Sequence, residues 1–197
     1  MNILTFAATL LLLGPLPLEN GKFNIVQDGK KIGSEQFSII NRPGGGYIVE
    51  SRTQLTGDPS ILLSKLEVDA ELNPVSYEYS HGKGQIHVTV ESPISQYDSV
   101  NNGAKSSMEF RFPENGLILD NNFFVQFILL LYKSGPSGGT FPVFVPQDFR
   151  AGTATVKQEK ENEFTLEIGD IHMEAVTDKM GKLIRLTAPE TKVVIER

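Results

Sequence analysis

Gly135-Pro136-Ser137-Gly138-Gly139 spells G-x-S-x-G, the pattern that in hydrolases sets a nucleophilic serine on a sharp turn. That chemistry depends on chain order: a strand delivers the serine, and a helix leaves from it with its first amides turned toward an oxyanion. Here the apolar run around Phe123–Tyr132 precedes the motif, and Thr140–Val145, which has a strand's composition, follows it. The order is reversed, so the stretch reads as a Gly/Pro/Ser loop. It also lacks the Gly-Lys-Ser/Thr ending of a phosphate-binding loop. His81, His87 and His172 are the only histidines. A hairpin turning at Gly82-Lys83 sets His87 across from Glu78 on a polar face and leaves His81 beside the turn, so the two do not converge on a metal ion. His172 shares a strand face with Glu174, which reads as solvated alternation. No pair of carboxylates has the fixed spacing of a glycosidase acid and nucleophile. No catalytic residue, metal ligand or cofactor is assigned.

Composition narrows the field further. The chain has 197 residues, with 18 Lys and Arg against 24 Asp and Glu, a net charge of -6 and a pI near 5.1. The charges are interspersed, so nucleic acid and anionic membrane surfaces would gain little counterion release from it. The absence of cysteine removes disulfides, thiolate metal sites and a catalytic thiol together.

The elements that would position a site are mostly strands. From Gly21 onward, short alternating segments are separated by turn residues, the rhythm of an antiparallel sheet. Asp28-Gly29 is a strong hairpin signal between Lys22–Gln27 and Ile32–Asn41, pairing Ile25 with Ile32. Phe37 and Ile39 have the opposite parity to Ile32, which calls for a bulge at Gly33. In the next hairpin, facing Tyr79 with Ile86, Tyr77 with Val88 and Val75 with Val90 keeps the apolar side chains on one face, which selects the two-residue turn Gly82-Lys83. Pro93–Lys105 reads as a mobile loop. A closing meander runs through Ala154–Glu159, Glu163–Ile168, Ile171–Thr177, Lys182–Ala188 and Lys192–Glu196. The fold class is mainly β: one antiparallel sheet of about a dozen strands, too many to stay flat, curled into a barrel, half-barrel or sandwich.

One stretch breaks that rhythm. Asp120–Gly135 reads as a hydrophobic helix over residues 122–133, with Asp120, Asn121 and Asn122 as N-cap candidates and Gly135-Pro136 as its stop. It is too short for the roughly 20 residues of a membrane crossing and apolar nearly all round, so it belongs inside the sheet. A helix so enclosed either packs solid or leaves room for an apolar ligand. Tyr77, Tyr79, Phe110, Phe112, Phe123, Phe124, Phe127, Phe141 and Phe144 are the candidate lining, though each also suits an ordinary core.

At the N-terminus, Ile3–Leu13 followed by Gly14-Pro15-Leu16-Pro17 has the apolar core and helix-breaking end of a secretory signal, without a basic start or an A-x-A site. We take residues 1–18 as a signal or hydrophobic N-terminal segment, 19–197 as a single domain, and the protein as exported to the periplasm or beyond.

Three stretches together carry a family resemblance: Phe23–Phe37 (F-x-I-x-x-D-G-K-K-I-G-S-E-x-F), Leu72-Asn73-Pro74-Val75-Ser76-Tyr77, and Asp178–Pro189 (D-x-x-G-K-L-I-R-L-x-A-P). The pattern resembles exported bacterial domains of unknown function. The resemblance implies an antiparallel barrel or half-barrel, similar in some cases to lipoprotein-carrier folds that hold acyl chains around a plug helix. It implies no catalytic residues. The functional expectation is a non-enzymatic exported domain whose partner is an apolar small molecule or an envelope protein. The alternatives are a hydrolase with an unrecognised site and a purely structural barrel.

Overall fold

The computed structural model describes residues 16–197. The signal expected at residues 1–18 lies outside the described residues, apart from its last three. The strands are β1 (Glu19–Gln27), β2 (Lys30–Asn41), β3 (Tyr47–Leu55), β4 (Ile61–Val68), β5 (Pro74–His81), β6 (Gly84–Thr89), β7 (Ser95–Asn101), β8 (Ala104–Phe110) and β9 (Leu117–Ile118). The helix α1 (Gln126–Ser134) follows, then β10 (Gly139–Val145), a single 3-10 turn at Pro146–Asp148, and β11 (Arg150–Lys160), β12 (Glu163–Ile168), β13 (Ile171–Thr177), β14 (Leu183–Ala188) and β15 (Val193–Glu196). All 15 strands belong to one sheet, in the order β8-β7-β6-β5-β4-β3-β2-β1-β15-β14-β13-β12-β11-β10-β9. Chain neighbours are sheet neighbours except β8 and β9, which form the two edges, and the first and last strands meet where β1 pairs with β15. Every pairing is antiparallel except the short parallel contact of β9 with β10.

The sheet is curled and not closed by hydrogen bonds. Among the described residues its edges, β8 and β9, have no strand partner on their outer side. They overlap instead. Val143 on β10 is buried on the inner face, so its neighbour Phe144 must point outward by strand alternation, yet Phe144 is only 3% exposed. The inner face of the β7–β8 hairpin covers it: Phe110 stacks on Phe144 at 4.9 Å, and Phe112 and Phe149 meet the same ring edge-on. Tyr97 of β7 packs edge-on against Phe149 and donates its hydroxyl to the Pro146 carbonyl at 3.1 Å. The seam of this scroll is therefore aromatic packing. Phe149 holds a left-handed φ of 46°, a strained conformation for an aromatic residue, in the middle of that cluster.

The β5–β6 hairpin has the expected register, with Tyr77 opposite Val88, Tyr79 opposite Ile86 and Glu78 opposite His87. Three expectations are corrected. The first bulge falls at Ile32, not Gly33: Ile25 faces Gly33 and Val26 faces Lys31, leaving Ile32 as the extra residue. Gly33 is needed one position on because a Cβ there would stand 2.6 Å from the Gln54 carbonyl oxygen of β3. The supposed mobile loop after Pro93 is the β7–β8 hairpin, turning at Asn102-Gly103, both at positive φ. Its outward positions are polar and its edge is solvated, so it lacks the apolar alternation that marks the other strands. The helix starts at Gln126, four residues later than expected, because residues 121–125 form turns held from β2.

The sheet encloses α1. Phe127, Ile128, Leu129, Leu130 and Leu131 are all buried, and Gly135 caps the C-terminus at φ 56° with its amide on the Leu131 carbonyl. Lys133 reaches Asn73 Oδ1 at 2.7 Å, tying the last turn to the β4–β5 connection. No helix among the described residues is long and apolar enough to cross a membrane. Leu130 is fully buried, so Leu130→Asp places a charge with no partner in the core, at a cost of several kcal/mol. The expected outcome is loss of the cooperative unfolding transition in a urea titration followed by circular dichroism. A soluble variant that unfolds cooperatively near the wild-type midpoint would remove α1 from the interior.

Candidate functional site

Beside the start of α1 the scroll is not filled. A cavity of about 990 Å³ lies between Phe123, Phe124 and Phe127 on one side and Ile25, Met173, Leu186, Val193 and Ile195 on the other. This is near the top of the range of about 300–1,000 Å³ usual for small-molecule sites. On β11, Gly152 faces the cavity opposite Val143 and contributes no side chain. The rim is solvent-exposed and polar, carrying Asn121, Asn122, Arg150, Asp170 and Thr191.

Two buried carboxylates fix the segment that walls this space. Glu35 projects inward from β2, on the same face as Phe37 and Ile39, and is 0% exposed. It accepts from Ser51 Oγ at 2.5 Å, from the Phe124 amide at 2.8 Å and from the Val125 amide at 3.3 Å. The amides left open ahead of a helix are usually capped by a nearby side chain in sequence. Here a carboxylate from 89 residues upstream does it. Thr53 Oγ1 on β3 donates to the Asn122 carbonyl at 2.8 Å beside it.

Asp120 holds the other end of the turn. It accepts from the Tyr77 hydroxyl at 2.5 Å and from the amides of Asn121 and Gln147 at 3.0 and 3.1 Å. Its own amide donates to Gln126 Oε1 at 2.5 Å, which links the turn to the first residue of α1. Burial pushes the Glu35 carboxyl up to about 7, against the pull of its three donors. Burial likewise raises Asp120, opposed first by the Tyr77 hydrogen bond. Tyr77 is raised well above the usual phenol value by burial and by the Asp120 charge.

No family model and no curated protein matches this chain. Among solved structures, the crystal structure of a beta-barrel-like protein of domain of unknown function DUF1849 from Brucella abortus is similar over 93% of this chain and 95% of that one, with a TM-score of 0.56 and 9% identity. The likeness is one of fold. The chain has the architecture of an uncharacterised beta-barrel-like domain.

Of the nine aromatics proposed as lining, Phe123, Phe124 and Phe127 border the cavity. Tyr79 packs edge-on against Phe123 at 6.0 Å, and Tyr77 is fully buried behind Asp120. Phe110, Phe112 and Phe144 belong to the seam, and Phe141 is half-buried on β10. Ser137 is exposed on the turn leaving α1. His81 pairs with Asp58 at 2.9 Å and His87 contacts Thr89 Oγ1 at 3.1 Å, so the two serve separate surface contacts. Among the described residues no three His, Asp or Glu side chains stand close enough to hold a metal ion. The residues missed are Glu35 and Arg150. Glu35 was detectable in principle, as a carboxylate on an otherwise apolar strand face.

Because the folded-state Glu35 carboxyl lies above its ordinary 4.5, its contribution is full below about 4.5 and is lost as pH rises through about 7. That displacement corresponds to roughly 3 kcal/mol. Glu35→Gln keeps an acceptor oxygen for one of the two amides, which bind separate carboxylate oxygens, and removes the titration. The unfolding free energy of the wild type should therefore lose roughly 2–3 kcal/mol more than that of the variant between about pH 5 and about pH 8. Parallel urea-denaturation profiles across that interval would show that Glu35 is not a buried titrating group.

Proposed function

We propose that this chain is a non-enzymatic, exported carrier or sensor domain that holds an apolar small molecule in the cavity beside α1. The observation that carries the reading is the cavity itself, about 990 Å³ in volume, open at a polar rim and with Phe124, Phe127, Ile168, Met173 and Val193 in its apolar lining. A largely apolar space of this size gives up packing that a solid core would have, and a ligand of matching shape restores those contacts and removes its own apolar surface from water. The polar rim lets one end of such a ligand reach solvent. Export is supported by the run Ile3–Leu13 with its Gly-Pro ending.

The buried carboxylates support a binding role over catalysis. Glu35 spends its oxygens on Ser51 and two backbone amides, and Asp120 spends its own on Tyr77, Asn121 and Gln147. Glu35 does not line the cavity, and Asp120, which does, already accepts at both oxygens.

Filling the cavity tests this reading directly. A Cβ at Gly152 would meet only Val143 Cγ2, at 3.6 Å, an ordinary contact, so the strand accepts a side chain there and Gly152→Leu directs its bulk toward the cavity. It also replaces a glycine inside a strand, worth up to about 1 kcal/mol in its favour. The full chain should bind N-phenylnaphthylamine with enhanced fluorescence, and native mass spectrometry after gentle extraction should show a co-purified apolar molecule. Gly152→Leu should lose both while its melting temperature holds or rises. Wild-type protein that binds no probe and carries no adduct would leave a structural barrel.

A further inference from the structure

We propose that the ligand is an amphiphile with an oxyanion head, its head held by Arg150 at the rim and its chain directed toward Phe127 and Leu186. This rests on the cavity being a binding site, as argued above, and adds the chemical class and orientation of what enters it. The register β10–β11 places Arg150 opposite Val145, Gly152 opposite Val143 and Ala154 opposite Phe141. By strand alternation these β11 residues share one face. Ala154 and Val156 on that face are buried in the core, so Arg150 is the inward-facing position at the end of β11 where the interior meets solvent.

A cation at such a position is normally neutralised by a neighbour. Arg42 and Arg197 are paired, with Glu67 and Glu19, while the exposed Arg52, Arg111 and Arg185 have no ion pair among the described residues and lie outside the cavity lining. Arg150 makes no ion pair or side-chain hydrogen bond among the described residues. Two other charged residues line the cavity. Asp120 is committed at both oxygens to the Tyr77 hydroxyl and to the amides of Asn121 and Gln147, not to Arg150. Asp170 sits at the tip of the β12–β13 turn, beyond ion-pair distance of Arg150. The guanidinium thus keeps its planar fork of donors, a geometry that matches the two oxygens of a carboxylate or phosphate. The apolar wall begins one residue pair further in, at Gly152 and Val143. An occupant that satisfies both has a charged oxyanion at one end and hydrocarbon at the other.

The test is displacement of N-phenylnaphthylamine from the full chain at low ionic strength by dodecanoate, dodecyl phosphate, dodecanol and dodecyltrimethylammonium, each below its micelle concentration. At least one of the two anions should bind about tenfold more tightly than dodecanol, and the stronger identifies the head as carboxylate or phosphate. Arg150→Gln, at an exposed position, should bring both anions to the dodecanol level while dodecanol itself changes by less than about twofold. Anions no tighter than dodecanol, or unaffected by Arg150→Gln, would overturn the head assignment and leave the cavity reading intact. Preference for the cationic amphiphile would overturn it in favour of Asp170. If nothing displaces the probe, or the probe itself does not bind, the cavity reading falls and this inference with it.

Discussion

The structure depends on one long-range contact, the Glu35 carboxylate of β2 against the amides of Phe124 and Val125. A nine-residue helix is too short to be stable alone in water, and although the amides of Gln126, Phe127 and Ile128 turn back onto the carbonyls of Phe123, Phe124 and Val125, the amides of Phe124 and Val125 just ahead of it have no such partner. Its own sequence offers no cap in position: Val125 stands at the cap, and Asp120 lies too far back. Without an acceptor from elsewhere, those amides would be buried unpaired at about 1–3 kcal/mol each. Glu35 supplies the acceptor, and Ser51 supplies a donor to Glu35. Desolvation of Glu35 is the cost of placing it there, visible as the rise of its carboxyl toward neutrality. A buried anion so placed is costly if the turn moves, because each displaced amide leaves both partners unsatisfied. The contact therefore specifies where α1 sits.

From that anchor the scroll follows. A sheet of 15 strands must curl, and closing it by hydrogen bonds would require β8 and β9 to meet in register. They overlap instead, because β9 is a two-residue strand drawn inward by the buried segment Leu117–Asp120 that leads to α1. The β7–β8 hairpin then covers the outer face of β10 through Tyr97, Phe110 and Phe144. The Pro146–Asp148 turn joins the two systems: the Pro146 carbonyl accepts from Tyr97 at the seam, and the Gln147 amide donates to Asp120 at the turn before α1. The seam and the plug are consequently one mechanical unit.

Most of the sheet was legible because its strands alternate cleanly and its turns carry Gly, Asn or Asp where positive φ is required. Asp28-Gly29, Gly82-Lys83 and Gly169-Asp170 each set a hairpin whose register apolar parity then settles. Asn102-Gly103 carries the same signal, but the strands it joins are polar on their outward face, and β8 is exposed along most of its length, so periodicity had nothing to report. The buried helix was legible from its composition and its Gly135-Pro136 stop. Its start was not, since the cap comes from β2 and only the fold brings Glu35 to Phe124. The cavity has the same origin. Phe123 and Phe127 are neighbours of α1 and were readable as lining, whereas Phe110, Phe112 and Phe144 were drawn to the seam by an overlap of edges that no local pattern encodes.

The cavity and the anchor share residues, and this couples them. Phe124 lends its amide to Glu35 and its ring to the cavity wall, and Asp120 both lines the cavity and fixes the turn before α1. An occupant packed on Phe123 and Phe124 would require that turn to be seated, so it would bind the folded arrangement and add stability by mass action, about 2.7 kcal/mol at a hundred times its dissociation constant. That figure is comparable to the cost of holding Glu35 ionised in the core. Linkage is reciprocal. Whatever loosens the turn must weaken the occupant's hold to the same degree, and the ionisation state of Glu35 acts on that turn near neutral pH. A sheet that closed on itself with a long, fully packed helix would have neither the space nor this coupling. The short helix held by a distant carboxylate provides both.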